Sequence, residues 1–496
     1  MVIWQRIRAA QRRARTSGLP RRASSRREAH RRVRQRRRQR GAALIMVLGS
    51  LTILAVMLSE FQDQMSTEFA SAMSDRDALK AEYAAKSAIN LSRLLIASEP
   101  TVRQAAGFLL AALGDKGKAP QIPIWEFSGQ ILGAFNDELG AESFASLGLD
   151  AAEGVGLGLD GAGFELRIVD EDAKIGLNNA GRSSFGARDV ARQLMGLIGG
   201  PQYDPLFEGR DAQGDYSSRF DVCSAIIDWV DANQEAENCN ATAQAQSMGA
   251  EDSFYRNLIP PYQRKNAAFD SLEELRLVRG VGDDFWATFV EPNPDEPRER
   301  PVTVWGQGKI NINTTSPRTL LSYVCAWAVP NTELCNDPTG ALPSSFLTTL
   351  AMAQGMFSGI PIFRSPRQLR EALEGKGDMA SFLEMAGLPK IQFLSANGFE
   401  GGLALESKVF SIYADGYVRQ GKRETHVRIT AVVDFRQAPT VQDLMAKAMA
   451  TNESAQGSQL SQADDAEGTE SSTEAVGISG ALVPSTAGRV VYYRVN

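Results

Sequence analysis

The chain has 496 residues, enough for two or three domains, and its apolar fraction (43 %) and charged fraction (23 %) are those of ordinary globular proteins. The net charge of −6 hides an asymmetry, because the first forty residues hold sixteen arginines and one acid, Glu28. This leader carries about +15 and the remainder about −21. Only two histidines occur, His30 and His426, which argues against histidine-based catalysis or a His-rich zinc site.

An uncharged apolar segment, residues 41–59, follows the basic leader directly. As a helix it would be about 28 Å long, close to the hydrocarbon thickness of a bilayer. The arginines predict a cytoplasmic N-terminus and an exported body. A cleaved secretory signal, a plain signal anchor and a prepilin-type signal are the three interpretations. No A-x-A-like site follows the segment, and the run Arg40-Gly41-Ala42 fits the prepilin type, with cleavage after Gly41 leaving Ala42 as the mature N-terminus.

The apolar periodicity continues beyond the membrane segment. Phe61, Met65, Phe69 and Met73 keep spacings of three or four residues, and no proline occurs before Pro100. This pattern predicts one helix over residues 42–98, whose first half lies in lipid and whose second half packs on the body. An anchor followed by a separate amphipathic helix is the alternative.

Two related strings, residues 170–179 and 308–315, frame the next region, and both are predicted to be a strand ending in Asn-rich helix caps. Alternation over 164–170 predicts a half-buried strand. Between the strings the pattern is mostly helical, at 187–197, 221–232 and 271–278. The last helix is predicted to have a capping box from Ser271 to Glu274 and to end at Gly280. We therefore predict a helical insert, about residues 179–300, between two strands of one sheet.

The C-terminal third changes from helical to alternating periodicity. Helices are predicted at 319–328, 344–354 and 366–373, followed by a β-hairpin of 408–418 and 425–434 joined through 420–422. Residues 451–475 are rich in Ser, Gln, Ala and acids and are predicted to be disordered. The apolar run 489–493 could add a strand whose place the sequence does not give.

Four cysteines follow the apolar segment, on the side that we assign to the oxidising compartment. No CxxC occurs, which argues against a zinc ribbon or a thioredoxin-type site. We favour Cys223–Cys239 and Cys325–Cys335, because each pair closes a short local loop. Free buried thiols are the alternative.

Several motifs together resemble one family. They are the leader–Gly–apolar junction, the runs 226–231 (IIDWVD), 249–252 (GAED) with Tyr255, 260–262 (PPY), Lys265-Asn266, 271–275 (SLEEL) with Val278 and Gly280, and 309–314 (KININT). Over about residues 38–435 the chain resembles the GspK family, the large minor pseudopilins of type II secretion systems. The resemblance implies a role at the tip of the periplasmic pseudopilus, where the protein would prime assembly and contact secreted substrate. It implies no enzymatic activity.

The resemblance also implies a fold, partners and a location. The expected fold class is α+β, with a long N-terminal pilin helix packed on an antiparallel sheet, a large helical domain inserted between strands, and a disordered acidic tail. Expected partners are the I- and J-type minor pseudopilins, the major pseudopilin, the prepilin peptidase and the inner-membrane assembly platform. The expected location is the inner membrane, single-pass, with a periplasmic body and no nucleic-acid partner. The predicted divisions are 1–41, leader; 42–98, helix, with 42–59 transmembrane; 99–178, pseudopilin α/β region; 179–300, helical insert; 301–440, helices and strands; and 441–496, tail.

The fifth residue after the predicted cleavage point is Met46. Major pseudopilins carry Glu there, and a carboxylate in lipid is costly unless it is paired. In pilins that Glu pairs with the N-terminal amine of the neighbouring subunit above. A tip subunit lacks this neighbour, so Met46 is consistent with the tip position that the resemblance implies.

An oxygen-rich cluster lies in the predicted insert. Asp231, Asn233 and Glu235 have D-x-N-x-E spacing, and Glu251 and Asp252 follow. An acidic loop is usually only solvated, but calcium needs six to eight hard oxygen ligands, and the resemblance implies calcium binding in this insert. We therefore expect these five residues to bind a structural calcium ion. Asp228 could instead be a charge on the helix surface.

Three other functions compete with this interpretation. A helix-hairpin-helix DNA-binding module would use residues 279–282 and 311–314, but the acidic body opposes phosphate binding. An exported hydrolase would need His426, which lies in a predicted strand, and no GxSxG occurs. A minor pilin of a type IV pilus or uptake system would share the N-terminal helix and would lack the insert.

Overall fold

The computed structural model describes residues 25–112, 119–133, 135–136, 159, 161–210, 216–233, 237–239, 253–336, 340–356, 361–377, 379–385, 387–440, 443 and 486–496. Two compact units are present, Met1–Arg76 and Asp77–Asn496. The predicted disordered stretch 451–475 lies outside the described residues. The predicted domain boundaries stay predictions.

Thirteen α-helices occur in the described part of the chain, with short 3₁₀ turns between several of them. They are α1 Ser25–Ala112, α2 Ser128–Gly133, α3 Ser184–Ile198, α4 Asp204–Glu208, α5 Arg219–Val230, α6 Ser253–Arg256, α7 Asp283–Phe285, α8 Pro317–Trp327, α9 Glu333–Asn336, α10 Ala341–Met356, α11 Pro366–Leu373, α12 Ala380–Met385 and α13 Ala396–Gly401.

Eight strands form three sheets in the same residues. They are β1 Ala162–Asp170, β2 Ile175–Gly176, β3 Val302–Thr303, β4 Ile310–Asn311, β5 Leu403–Ala404, β6 Val409–Gln420, β7 Arg423–Asp434 and β8 Arg489–Val495. The main sheet is antiparallel and has the order β1-β6-β7-β8, while β2 pairs with β3 and β4 pairs with β5 in two short parallel pairs.

The long N-terminal helix and the antiparallel sheet confirm the expected α+β class. In the main sheet Asp170 lies opposite Phe410 and Ala162 opposite Val418. The hairpin β6–β7 is also confirmed, and Gly421 adopts a φ of +63° in its two-residue turn, where glycine avoids the steric cost of positive φ. The apolar run 489–493 lies in β8, on the free edge of β7.

Helix α1 is longer than predicted, because it runs past Pro100 to Ala112 and begins before Ala42. Proline removes one backbone hydrogen bond of the helix. Beyond it, Arg103 forms ion pairs with Glu99 and Glu406. In the described part of the chain, one helix, within Ala42–Phe108, is long and apolar enough to cross a membrane. Its side chains from Leu44 to Leu58 are exposed to solvent in the isolated chain.

A face of small residues joins α1 to the sheet. Ala81, Ala84, Ala85 and Ala88 are all buried there. A Cβ added to Gly416 in β6 would collide with the Ala81 carbonyl oxygen and lie 2.7 Å from the Ala85 amide nitrogen. The sequence therefore places alanines on the helix and glycine on the strand, so that the two backbones can approach closely.

The helical region lies between β1 and β6 and has its own core. Large side chains from α3, α5, α8 and the surrounding loops fill it, among them Leu194, Ile226, Phe269, Phe289 and Tyr323. The prediction that both Asn-rich strings belong to one sheet is wrong. The first string gives β2 and the second gives β4, each in a separate two-stranded pair, so that the next strand of the main sheet after β1 is β6.

The predicted helix caps also need correction. Ser183 caps α3 and Ser316 caps α8, because each hydroxyl accepts a hydrogen bond from an amide three residues on. The asparagines instead bind distant backbone: Asn178 exchanges hydrogen bonds with the Phe269 peptide group, and Asn313 does the same with that of Phe363. Each asparagine side chain thus satisfies the hydrogen-bonding groups of a peptide unit far away in sequence, as a neighbouring strand would do.

The capping box predicted at Ser271 is absent from this described segment. Residues Leu272–Leu277 form a 3₁₀ helix, and the Ser271 side chain makes no capping hydrogen bond. The Glu274 carboxylate accepts from the Asp270 amide instead, at 3.1 Å. Gly280 has a φ of +77°, in keeping with the predicted glycine turn.

A buried polar cluster connects β1 to the helical region and to β6. Asp172 accepts hydrogen bonds from the amides of Gln307 (2.6 Å), Lys408 (2.7 Å) and Val409 (3.1 Å). Asp170 accepts from the hydroxyls of Thr314 and Ser407. These carboxylates therefore hold together the chain segments that leave and re-enter the main sheet.

Candidate metal centre

Helix α5 positions the first two acidic residues of this region, Asp228 and Asp231. Its first turn has a complete capping box, in which the Ser218 hydroxyl accepts from the Asp221 amide and the Asp221 carboxylate accepts from the Ser218 amide. Its last turn is held by Trp229, which stacks on Phe269 at 6.3 Å and meets Tyr255 edge-on at 5.7 Å. The end of the helix is therefore fixed in the core, and Asp231 follows as its C-cap residue.

Asp228 is buried, so its interpretation as a helix-surface charge is wrong. The side chain turns towards the returning chain, and its Oδ1 accepts from the Glu237 amide at 2.8 Å. Burial raises the pKa of Asp228 to about 7, because a carboxylate loses hydration there. The protonation state of Asp228 near neutral pH therefore depends on the charged groups beside it.

Asp231 is equally buried, and burial raises its pKa as well. One carboxylate oxygen, Oδ2, accepts from the Asn233 side-chain amide at 2.7 Å. The other, Oδ1, has no hydrogen-bond partner among the described residues. A buried carboxylate oxygen without a donor is costly.

Arg264 was not predicted as part of this cluster, since a lone arginine in a loop gives no sequence signal. Its guanidinium donates to the backbone carbonyls of Asp228 (3.1 Å) and Asn233 (3.0 Å). It thereby fixes the backbone at the C-terminal end of α5 and the first residues after it. It also favours the charged form of both aspartates, although burial has the larger effect on their pKa values.

A disulfide closes the same loop. Cys223 of α5 is bonded to Cys239, with Cα atoms 6.1 Å apart, and so residues 237–239 are held against the helix. The second bond joins Cys325 of α8 to Cys335 of α9. Both pairings are those favoured from the sequence.

Of the five residues predicted to bind calcium, the structure describes Asp231 and Asn233 and brings them together. Glu235, Glu251 and Asp252 lie outside the described residues, and the described residues alone contain no group of three or more His, Cys, Asp or Glu side chains placed to hold a metal. The lone Oδ1 of Asp231 is a suitable ligand for a hard cation. The chemistry of these two residues therefore fits calcium.

The remaining predicted site residues lie in other parts of the chain. Gly41 and Ala42 lie within α1, and Met46 is exposed in its apolar segment. His426 lies in β7, as predicted, with its Nδ1 3.0 Å from Asp415 Oδ1.

Comparison with known proteins gives three findings. Residues 210–289 match the family model described as "Type II secretion system (T2SS), protein K". The type II secretion system protein K of Aeromonas hydrophila is 34 % identical over 96 residues, which cover 19 % of this chain and 24 % of that protein. The match thus spans about a quarter of the length of this relative.

A solved structure is also similar. It is the GspK–GspI–GspJ complex of the type 2 secretion system of enterotoxigenic Escherichia coli, of which one chain aligns with a TM-score of 0.32 and 16 % identity. The alignment covers 56 % of this chain and 76 % of that chain. The family match at residues 210–289 coincides with α5, the Cys223–Cys239 bond and the acidic cluster. Over residues 210–289, the helical region of this chain is therefore similar to the type II secretion system protein K family.

Proposed function

We propose that the protein is a minor pseudopilin of a type II secretion system, which caps the tip of the periplasmic pseudopilus and helps to initiate its assembly. The observation that carries the proposal is the protein K domain at residues 210–289, in a chain that also has a helix able to cross a membrane. That helix continues into a segment packed on an antiparallel sheet, as a pilin subunit requires. Deletion of the gene in the native host should abolish export of type II substrates to the medium. Unchanged export would contradict the proposal.

The anchor is proposed to be inserted with its N-terminus in the cytoplasm and its body in the periplasm. Prepilin peptidase would then cut after Gly41 and release the helix from its basic leader. N-terminal sequencing of the mature protein should begin at Ala42, and a mature protein that begins at Met1 would refute this step. Substitution Gly41→Leu should block the cut, while Gly49→Leu, in the same helix with open space around it, should not.

Tip placement rests on Met46. Because no carboxylate stands at this position, the subunit cannot make the pairing by which a pilin glutamate binds the amine of the subunit above it. Immunogold labelling of overproduced pseudopili should place this protein at one end only. Labelling along the whole fibre would contradict the tip assignment.

The proposed partners are the I- and J-type minor pseudopilins, with the major pseudopilin and the assembly platform beyond them. The solved structure that aligns with this chain at 16 % identity is titled as a complex of GspK, GspI and GspJ. Co-expression and affinity purification from detergent should recover the I- and J-type proteins with this chain. Purification of this chain alone under those conditions would count against the proposal.

Calcium is proposed as a structural ligand of the acidic loop, bound by Asp231, Asn233, Glu235, Glu251 and Asp252. It would neutralise acids that burial otherwise penalises and give the lone Asp231 oxygen a partner. Calorimetry should show a lower melting temperature after chelation. Asp231→Ala should remove this difference, whereas Asp283→Ala, at an exposed acid, should keep it. A melting temperature that chelation does not change would sink the idea.

Two other functions are less well supported. A type IV minor pilin would share α1 and the sheet, but the family match lies in the helical region, which such a pilin is expected to lack. A DNA-binding hairpin would need free amides at residues 279–282. The Arg279 amide donates to the Tyr255 hydroxyl (3.2 Å) and the Val281 amide to the Val278 carbonyl (3.1 Å), so that these two are already used.

A further inference from the structure

The last strand of the chain, β8, lies on the edge of the main sheet without being part of its hairpin. It runs antiparallel to β7, with Val495 opposite Ile429 and Arg489 opposite Asp434. The ladder is extended by Arg428 and Asn496, whose amides and carbonyls pair at 2.8 and 3.4 Å. A bulge lies between Val432 and Val433. More than fifty residues of sequence separate β7 from β8, so that no tight turn imposes this pairing.

The side chains of β8 lie outside the buried hydrophobic clusters of the protein. None of the described buried residues that form the hydrophobic clusters comes from residues 486–496. The side chains of Val490, Val491, Tyr493 and Val495 are 37–49 % exposed. Main-chain hydrogen bonds and a few side-chain contacts therefore hold the strand, as in proteins that bind an extended peptide at a sheet edge.

Helix α1 contributes one of those contacts. The Arg93 side chain donates from Nε to the Ala487 carbonyl and from Nη2 to the Gly488 carbonyl, both at 2.9 Å. A guanidinium that binds two successive carbonyls fixes the entry of the strand in both position and direction. It recognises only main-chain atoms, which any peptide of suitable shape supplies.

Two further contacts select the sequence of the strand. Trp305, from the helical region, packs on Tyr492 with ring centroids 5.4 Å apart. Gly488 has a φ of +71°, and a Cβ added to it would lie 2.8 Å from Val433 Cγ1 and 3.1 Å from the Phe435 ring. Glycine at the entry and an aromatic residue four positions later are therefore both required.

At the opposite edge of the main sheet, β1 pairs, among the described residues, with a side chain and not with a further strand. The Asn136 side chain donates to the Phe164 carbonyl and accepts from the Phe164 amide, and so occupies part of the β1 edge. The β7 edge is thus the one at which a separate strand is bound in the described structure.

We propose that the β7 edge, with Arg93 and Trp305 beside it, is a peptide-binding groove that residues 486–496 fill in cis. The same groove accepts this strand in trans from a second copy of the chain. Its ligand is an extended peptide with a glycine at the entry, two β-branched residues followed by two aromatic residues, and flanking arginines, as in the sequence GRVVYYRV. The inference does not depend on the proposed function.

The experiment uses the full chain in detergent, with a site for a sequence-specific protease inserted after Gly468. The protein folds before cleavage, so a failure to fold cannot imitate the result. After cleavage the C-terminal fragment should co-elute with the body in size-exclusion chromatography. A fluorescent peptide of residues 486–496 should then exchange with it and show saturable binding. Uncut full-length chain added in excess should compete for the peptide more weakly than cleaved chain stripped of its fragment.

Variants test the contacts. A Gly488→Val peptide should bind at least about tenfold more weakly, and a Val495→Thr peptide, changed at a half-exposed position, should bind almost as well as the original. Arg93→Ala in the body should weaken binding, with Lys80→Ala on the same helix as the matched control. Three outcomes overturn the proposal: a fragment that leaves and does not rebind, equal binding of the Gly488→Val peptide, or a retained fragment that never exchanges. The last would make β8 a fixed part of the sheet.

Discussion

Asp172 shows how much of the architecture can rest on one side chain. Its carboxylate accepts from three backbone amides, two of which begin β6. Asp172→Ala would leave these amides without an acceptor in a buried place, and we expect it to lower the free energy of unfolding by about 3 kcal/mol or more. Chemical denaturation of the detergent-solubilised chain measures this. Asp283→Ala, at an acid whose side chain is 93 % exposed, should change the stability by less than about 0.5 kcal/mol.

The same cluster predicts a pH dependence. Burial raises the pKa of both Asp170 and Asp172. The charge of Asp170 raises the pKa of Asp172 further, and the charge of Glu171 raises that of Asp170. The folded state therefore binds more protons than the unfolded state above about pH 4, and stability must fall as pH rises towards neutrality. The melting temperature should decrease between about pH 5 and about pH 8, and the decrease should be smaller in Asp172→Ala. A wild-type melting temperature that rises over this range would contradict the assignment.

For single residues, the sequence indicated which residues are important better than it indicated what their side chains bind. The string that contains Asp170 and Asp172 is similar in sequence to residues 308–315. Its carboxylates bind groups more than one hundred residues away, Asp172 the backbone amides and Asp170 the hydroxyls. Such pairing depends on tertiary contacts that no local pattern encodes. The alternative that Asp228 lies on the helix surface is wrong for the same reason, since its burial depends on the return of residues 237–239.

Among the contacts between elements, the one between α1 and β6 leaves the least space for a larger side chain. Gly416→Val would push a branched side chain into the Ala81 carbonyl and the Ala85 amide, and backbone cannot move aside as a flexible side chain can. We expect a loss of stability of about 3 kcal/mol. Gly209→Ala, where no atom of the described residues lies within 4 Å of the added Cβ, is the control and should stay within about 0.5 kcal/mol of the parent. Thermal denaturation followed by circular dichroism distinguishes the two, and equal effects would show that α1 does not pack there.

Removing each disulfide in turn should show whether calcium affinity depends on the bond beside the acidic loop or only on overall stability. Each closes a loop of ten to sixteen residues, and replacing either pair by serine should cost about 3 kcal/mol. Only the Cys223→Ser/Cys239→Ser variant should also lose calcium affinity, because Cys239 holds the acidic loop against α5. Isothermal titration with calcium measures this. An equal loss of affinity in Cys325→Ser/Cys335→Ser would show that calcium responds to general stability alone.

Long, regular elements were predictable, and short or distant pairings were not. Helix α11 occupies the predicted residues 366–373, and both strands of the hairpin lie where alternation placed them. The two-residue strands β2 to β5 and the edge position of β8 depend on partners far along the chain. Their local sequence is too short to carry a period.

For the whole molecule, charge is divided between a basic leader and an acidic body. If the arginines set the orientation, replacing the seven arginines of residues 31–40 by glutamine should reduce export of the body, while replacing them by lysine should not. A C-terminal fusion to alkaline phosphatase, which is active only after export, reports the result. Full phosphatase activity in the glutamine variant would exclude the leader as the determinant.

The pairing of Asp170 with Phe410 has a mechanical consequence. The helical region leaves the sheet at the end of β1 and returns at the start of β6, its immediate neighbour. A pull applied along α1 reaches β6 at Gly416 and passes across the ladder to β7. The close contact of α1 with β6 thus gives tension a direct path into the strands, beside the Arg103–Glu406 ion pair that links α1 to the helical region.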